Sequence, residues 1–268
     1  MRHSTTFLMS LIVASILVLM FLNLVLGSVS IPLKSVWNII CGLGDEPVTW
    51  QNIVWKSRLP QALTALVAGA GLAISGLQMQ TVFRNPLAGP SVLGISSGAS
   101  MGVAFVVLLS GSLGGVALSK LGFMGEIALS IAAVIGSLSV MALIVYVSQK
   151  VKGNVTLLII GVMIGYVANA VIGVLKFFSV EEDIRAYVIW GLGSFSRVSG
   201  NQMMLFVAIM AILIPLSFLL IKTLNLMLLG DGYARNLGLN IKRARLLVIS
   251  CSGAVSYTHL TLPTKRIV

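Results

Sequence analysis

The feature that most constrains this chain is a succession of long apolar runs. Crossing ~30 Å of hydrocarbon as a helix takes about 20 mostly apolar residues. Six stretches meet that requirement, at 7–26, 59–82, 92–110, 127–147, 155–175 and 203–221, and a seventh starts near Leu246. Backbone groups in lipid must be bonded within their own segment, so these runs are expected to be transmembrane helices. Charge agrees with this. Only 9% of the 268 residues are charged and 57% are hydrophobic, with a mean hydropathy of +1.04, whereas a soluble domain carries roughly 25% charged residues. Such a chain cannot cover a globule with polar groups, and lipid must be its main solvent. The expected fold class is an all-α polytopic membrane protein. A cleaved signal peptide is the alternative for the first run, since Arg2 precedes it. Against this, the run is long for such a segment, and no clean A-x-A site follows.

The net charge of +11 raises the question of nucleic acid. The basic residues lie at the ends of apolar runs, not on one face or interleaved with aromatics, which is the pattern of membrane topology. Nucleic acid is therefore excluded as a partner. With the N-terminus in the cytoplasm, the inner segments carry nine basic residues: Arg2, Arg84, Lys150, Lys152, Lys222, Arg235, Lys242, Arg243 and Arg245. The outer segments carry seven: Lys34, Lys56, Arg58, Lys120, Lys176, Arg185 and Arg197. Asp231 is then the one acidic residue inside. No run has a charge near its middle, where an ion-coupled carrier usually buries one, and no G-x-x-x-x-G-K-[ST] phosphate loop is present. Transport would have to be powered from elsewhere, and if ATP drives it, another subunit binds the ATP. Cys41 and Cys251 have no histidines at ligand spacing and read as apolar fillers, so no metal site and no catalytic residue are expected.

Small residues crowd the second and third runs. Gly76 lies in the second, and Gly94, Gly98 and Gly102 follow at G-x-x-x-G spacing in the third. Such faces let helix backbones approach closely in lipid, where packing drives association. Asn85-Pro86 and Gly89-Pro90 interrupt helix between these runs and force a tight turn. A longer pattern runs through residues 58–102. It comprises Arg58-Leu59-Pro60, Ser75-Gly76 with Gln80, Arg84-Asn85-Pro86-Leu87-Ala88, and Leu93-Gly94 with Gly98-Ala99. These linked elements closely resemble the FecCD/BtuC family of ABC importer permeases. For Asn85 and Pro86, a structural turn remains the simpler reading.

The resemblance implies a second functional segment. Gly230, Asp231, Ala234, Arg235, Leu237 and Gly238 match the family's G-x-x-x-A-x-x-L-G coupling loop, two short helices that dock on the ATPase. Asp231 can cap such a helix, Ala234 and Leu237 make a small apolar face, and Gly238 ends it. A short helix lying on the membrane is the alternative reading, and Lys242, Arg243 and Arg245 suit contact with lipid headgroups. At the outer face, family members present arginines to the substrate-binding protein. Arg58 matches the first of a pair, but Gln61 replaces the second, leaving Lys56 as a compensating charge without the bidentate fork. A short helix at 184–195 is expected over the pore mouth.

The resemblance further implies the partners: an ABC ATPase subunit carrying the ATP-Mg, a periplasmic binding protein, a second permease copy, and the lipid of a bacterial inner membrane. No cofactor is expected on this chain. The cargo class is iron-siderophore, haem or cobalamin. Family permeases have about ten spans, so residues 1–254 are expected to be a BtuC-like permease domain truncated after six helices and the start of a seventh. Residues 255–268 are expected to be a non-native tail, since they resemble a translated sequencing adapter. An ion-coupled secondary carrier and a non-functional fragment are the alternatives.

Overall fold

The computed structural model describes residues 2–112, 122–151, 153–193 and 200–261. Regular structure among them is helical: α1 (Arg2–Val25), α2 (Leu33–Cys41), α3 (Val48–Ile53), α4 (Leu59–Phe83), α5 (Ile95–Ser112), α6 (Gly122–Lys150), α7 (Asn154–Phe177), α8 (Glu181–Leu192), α9 (Gly200–Leu219), α10 (Ile221–Leu228), α11 (Asp231–Asn236) and α12 (Ile241–Thr261). A π-helical turn, Val54–Arg58, joins α3 to α4, and a 3-10 turn, Pro90–Leu93, precedes α5.

Among the described residues, four segments are long and apolar enough to cross a bilayer: Thr5–Val25, Val48–Phe83, Ala128–Lys150 and Val155–Phe177. Met203–Leu219 and Ile221–Leu228, bent by 46° relative to each other, together make a fifth. The second of these is longer than its apolar run, because the chain stays helical from α3 through the π turn into α4. Pro60 has no N–H to give the Lys56 carbonyl, and the N–H of Leu59 reaches back five residues to the Val54 carbonyl, so the turn widens instead of breaking. The third run starts later than expected, at Ile95, because Gly94 is left-handed (φ 73°) and ends the 3-10 turn. The division expected at 254/255 falls within α12, whose side chains are described as far as Val255; residues 262–268 lie outside the described residues.

α12 runs beside α4, α6 and α9. Its Ala244, Val248 and Ile249 are buried with Met79, Phe83, Ile144 and Met227 in the largest apolar cluster. A second cluster joins α5 to α8 through Val103, Val107, Leu108 and Tyr187. α1 is attached mainly at its C-terminal end, where Leu24 is buried with Val36, Val54 and Ala62. The rest of α1 is apolar and exposed, from Phe7 to Leu22, as a lipid-facing helix is.

Candidate functional site

The two matched motifs meet at one end of the bundle. α4 stops at Arg84, the one non-glycine residue with positive φ among those described (φ 49°). The Asn85 side-chain oxygen accepts the Leu87 N–H at 2.9 Å, and its carbonyl accepts the Ala88 N–H at 3.0 Å, so Asn85-Pro86 builds a closed turn. The Gln80 side chain is exposed and its carbonyl accepts the Asn85 N–H at 3.2 Å. Arg84 leaves this turn sideways. Its Nη2 donates to Asp231 Oδ1 at 2.5 Å and to the Met227 carbonyl at 3.3 Å. The second Asp231 oxygen lies 3.7 Å from Nη2 of Arg245, a residue only 5% exposed.

This corrects the expected role of Asp231. It does not cap α11: Gly230 is the N-cap, with no side-chain cap bond, and the carboxylate turns to the two arginines instead. The expected apolar face is corrected too. Ala234 is fully buried toward the bundle, whereas Leu237, which caps the end of α11, is exposed, so the two do not make one exposed apolar face. Leu237 instead shares a face with Tyr233, one helical turn before it. Leu228 and Leu229, at the end of α10, are exposed as well, as is Arg235. Gly238 does end the helix as expected: at φ 87° it lets the Leu239 N–H reach the Ala234 carbonyl at 2.9 Å.

Arg58 sits differently from its expected docking position. It is 5% exposed, and Nη1 donates to the carbonyls of Leu24 and Val25, each at 2.8 Å, while Nη2 bonds the Val29 carbonyl. These acceptors lie at and just beyond the end of α1, where helical carbonyls have no partner of their own. Gly27 makes the approach possible, since a Cβ there would lie 2.8 Å from Nη2. Arg58 therefore closes α1 and turns away from solvent. Lys56 and Trp55 are exposed beside it, and Gln61 bonds Ser57 Oγ at 3.0 Å.

The small residues divide the same way. A Cβ at Gly98 would meet the Gly136 carbonyl at 2.7 Å, one at Gly102 would run into the Ala132 carbonyl, and one at Gly94 would meet the Gly161 carbonyl at 3.0 Å. α5 thus packs backbone to backbone on α6 and, through Gly94, on α7. Gly76, expected in the same role, has nothing within 4 Å of a built Cβ. Ser75, seen in the sequence only as part of the motif, and Ser252, which sequence reasoning passed over, hold α4 to α12: Ser75 Oγ donates to the Ser252 carbonyl at 3.1 Å, and Ser252 Oγ donates back to the Ser75 carbonyl at 3.2 Å. Gln78, 1% exposed, lies 4.0 Å from Cys251 Sγ, which is also 3.2 Å from Ser217 Oγ. Cys251 is buried, as expected of an apolar filler, and also meets these polar side chains, whereas Cys41 is exposed and fills no core. The signal was there as four polar residues inside apolar runs, but their pairing needs positions far apart in sequence.

At the opposite end, the short helix expected at 184–195 is α8. It begins earlier, with Glu181, Glu182 and Asp183 in its first turn, where acids favour the helix dipole. Residues 194–199 lie outside the described residues. Asp183 is 5% exposed, and its Oδ2 has no hydrogen-bond partner among the described residues. Burial, with the neighbouring Glu182 charge second, raises its carboxyl above the usual value of 3.8.

Comparison with known proteins places this helical bundle among ABC transporter permeases, in sequence and in structure. A profile of the FecCD transport family matches residues 15–261, and the chain belongs to that family. It is 33% identical over 251 residues to the hemin transport system permease protein HmuU of Yersinia pestis, covering 89% of this chain and 71% of that protein. It is 36% identical to the vitamin B12 import system permease protein BtuC of Serratia proteamaculans, covering 80% of this chain and 64% of that one. A solved structure described as a metal-chelate type ABC transporter in an inward-facing conformation superposes with a TM-score of 0.76 at 25% identity, covering 93% of this chain and 73% of that one. The chain thus spans about two thirds of the length of the curated relatives it matches.

Proposed function

We propose that this chain is the membrane-spanning permease subunit of an ATP-driven importer for a bulky iron chelate, haem or cobalamin. The observation that carries the reading is that four large apolar side chains on and around α11, Leu228, Leu229, Tyr233 and Leu237, are all exposed. α11 is a short helix buried at Ala234 and exposed at Tyr233. Apolar anchors on a short exposed helix suit a partner groove, and the family resemblance makes that partner the ATPase subunit that binds ATP-Mg. In this reading the chain itself makes and breaks no bond. ATP-driven movement of the ATPase pushes α11, and a second permease copy completes the pathway. A periplasmic binding protein delivers cargo at the end that carries Lys56 and α8. The N-terminus is then cytoplasmic and the membrane is the bacterial inner membrane. The hemin, vitamin B12 and metal-chelate relatives support the cargo class without choosing within it.

The test is reconstitution in proteoliposomes with the cognate ATPase and binding protein. ATP-dependent uptake of haem, cobalamin or a ferric siderophore is expected, and it should be lost when Tyr233 and Leu237 are both replaced by Asp. Uptake that continues without the ATPase would instead identify an ion-coupled carrier.

A further inference from the structure

The ion pairs at the α11 end tie together parts of the chain that neither motif alone connects. α11 has six residues, and the backbone at both its ends is left-handed glycine, Gly230 at φ 107° and Gly238 at φ 87°. Glycine takes such angles without steric cost and lets the chain swivel. A helix joined through two such residues does not pass on a push along its backbone alone. Its sideways attachments must do so. One is Ala234, packed on the bundle. The other is Asp231, whose two oxygens face two arginines on different elements: Arg84 at the end of α4, and Arg245 in the second turn of α12. Arg84 also bonds the Met227 carbonyl in the last turn of α10. One carboxylate thus gathers the ends of α4, α10 and α12 at the first residue of α11. These are the two ion pairs found among the described residues, and in this orientation Asp231 is the one acid on that side of the sequence.

We infer that Asp231 is a positioning residue that makes α11 move as one body with α4 and α12. This inference rests on the coupling role proposed above. The geometry accounts for features that the turn by itself leaves unexplained. The left-handed conformation of Arg84 disfavours any residue but glycine, and here it directs the guanidinium out of the turn toward α11. The buried position of Arg245 requires a nearby negative charge, and Asp231 supplies one. α4 and α12 also carry the Ser75–Ser252 pair deeper in the bundle, so a displacement entering at Asp231 reaches two helices already bonded to each other.

Hydrogen–deuterium exchange across residues 231–238, on the purified full chain in detergent, tests the link without reference to transport. Asp231→Asn keeps the shape and removes the charge, and Arg84→Gln removes one partner. Each is expected to speed exchange in α11 by roughly fivefold, the scale of a partly exposed ion pair. The double variant is expected to exchange no faster than Asp231→Asn alone, because the same link is being removed twice. Unchanged exchange, or effects that multiply, would overturn the proposal.

The reconstituted importer supplies the second arm. Asp231→Asn is expected to keep ATP hydrolysis while uptake per ATP falls at least about fivefold, and Asp231→Glu is expected to restore it. If hydrolysis and uptake instead fall together because the ATPase no longer binds, Asp231 is a docking contact and the inference fails. A wild-type complex with no ATP-dependent uptake rejects the importer reading, and the exchange experiment still decides the link.

Discussion

Arg58 and Arg84 stand at the two ends of the same helix, and the bundle uses them in opposite ways. Arg58 is buried and gives its hydrogen bonds to backbone carbonyls from 24 to 29, all in the stretch that ends α1. Arg84 is half-exposed and pairs with a side chain more than a hundred residues away. A guanidinium bonded to orphan carbonyls is a structural clamp, since releasing it leaves buried acceptors without donors. A guanidinium in a partly exposed ion pair is a weaker, salt-screened link between elements. The difference teaches that matching a basic residue to a family motif does not say what the residue does. Its partners decide that.

Breaking the comparison at its stronger side should have the largest effect. Arg58→Ala is expected to cost about 3 kcal/mol or more by stranding three carbonyls, seen as a marked fall in the thermal unfolding midpoint in detergent. If stability were unchanged and only binding-protein affinity fell, Arg58 would be a docking residue after all. The glycines give the next largest contrast. Gly98→Leu forces α5 off α6 and is expected to cost about 1–3 kcal/mol, while Gly76→Leu, facing open space, is expected to stay within about 0.5 kcal/mol of wild type. Equal losses at both would show that the close approach at Gly98 does not matter. Losing the Ser75–Ser252 pair through Ser252→Ala is expected to cost about 1 kcal/mol, measured by the same unfolding assay. Arg84→Ala is expected to cost less than about 1 kcal/mol, and that loss should shrink as salt rises. A loss independent of salt would contradict the reading of a screened pair.

The smallest effect concerns pH at α8. The Asp183 carboxyl is raised above 3.8 by burial first and by Glu182 second, so folding favours its protonated form. It therefore weakens the fold at neutral pH, and that penalty disappears as pH falls through its raised value toward 3.8. Asp183→Asn is expected to unfold at a slightly higher temperature near neutral pH and to flatten that part of the pH profile. A lower midpoint would mean that the carboxylate has a partner which stabilises its charge.

Much of this molecule was legible without coordinates. Apolar run length determines that the backbone is helical and lies in lipid, because a run of about 20 apolar residues satisfies its own peptide groups there only by coiling into a helix. The Arg58–Gly102 pattern and the Gly230–Gly238 loop determine the family, since they are linear strings whose order survives in any conformation. The turn at Asn85-Pro86 and the stop at Gly238 are local too, set by proline geometry and by a positive φ. What no string could show is which partner each side chain finds. Ala234 and Leu237 look like one face until the short helix is docked, and then one is buried and the other is exposed. Gly76 and Gly98 are equivalent in composition and differ only in what stands opposite them. Ser75 meets Ser252, and Arg84 meets Asp231, across intervals that only the packing of α4, α11 and α12 closes. Helix formation in lipid is decided by hydrogen bonds four residues apart, which sequence alone determines. Ion pairs, polar seams and close backbone contacts are decided by distances between helices, and those exist only once the bundle has formed.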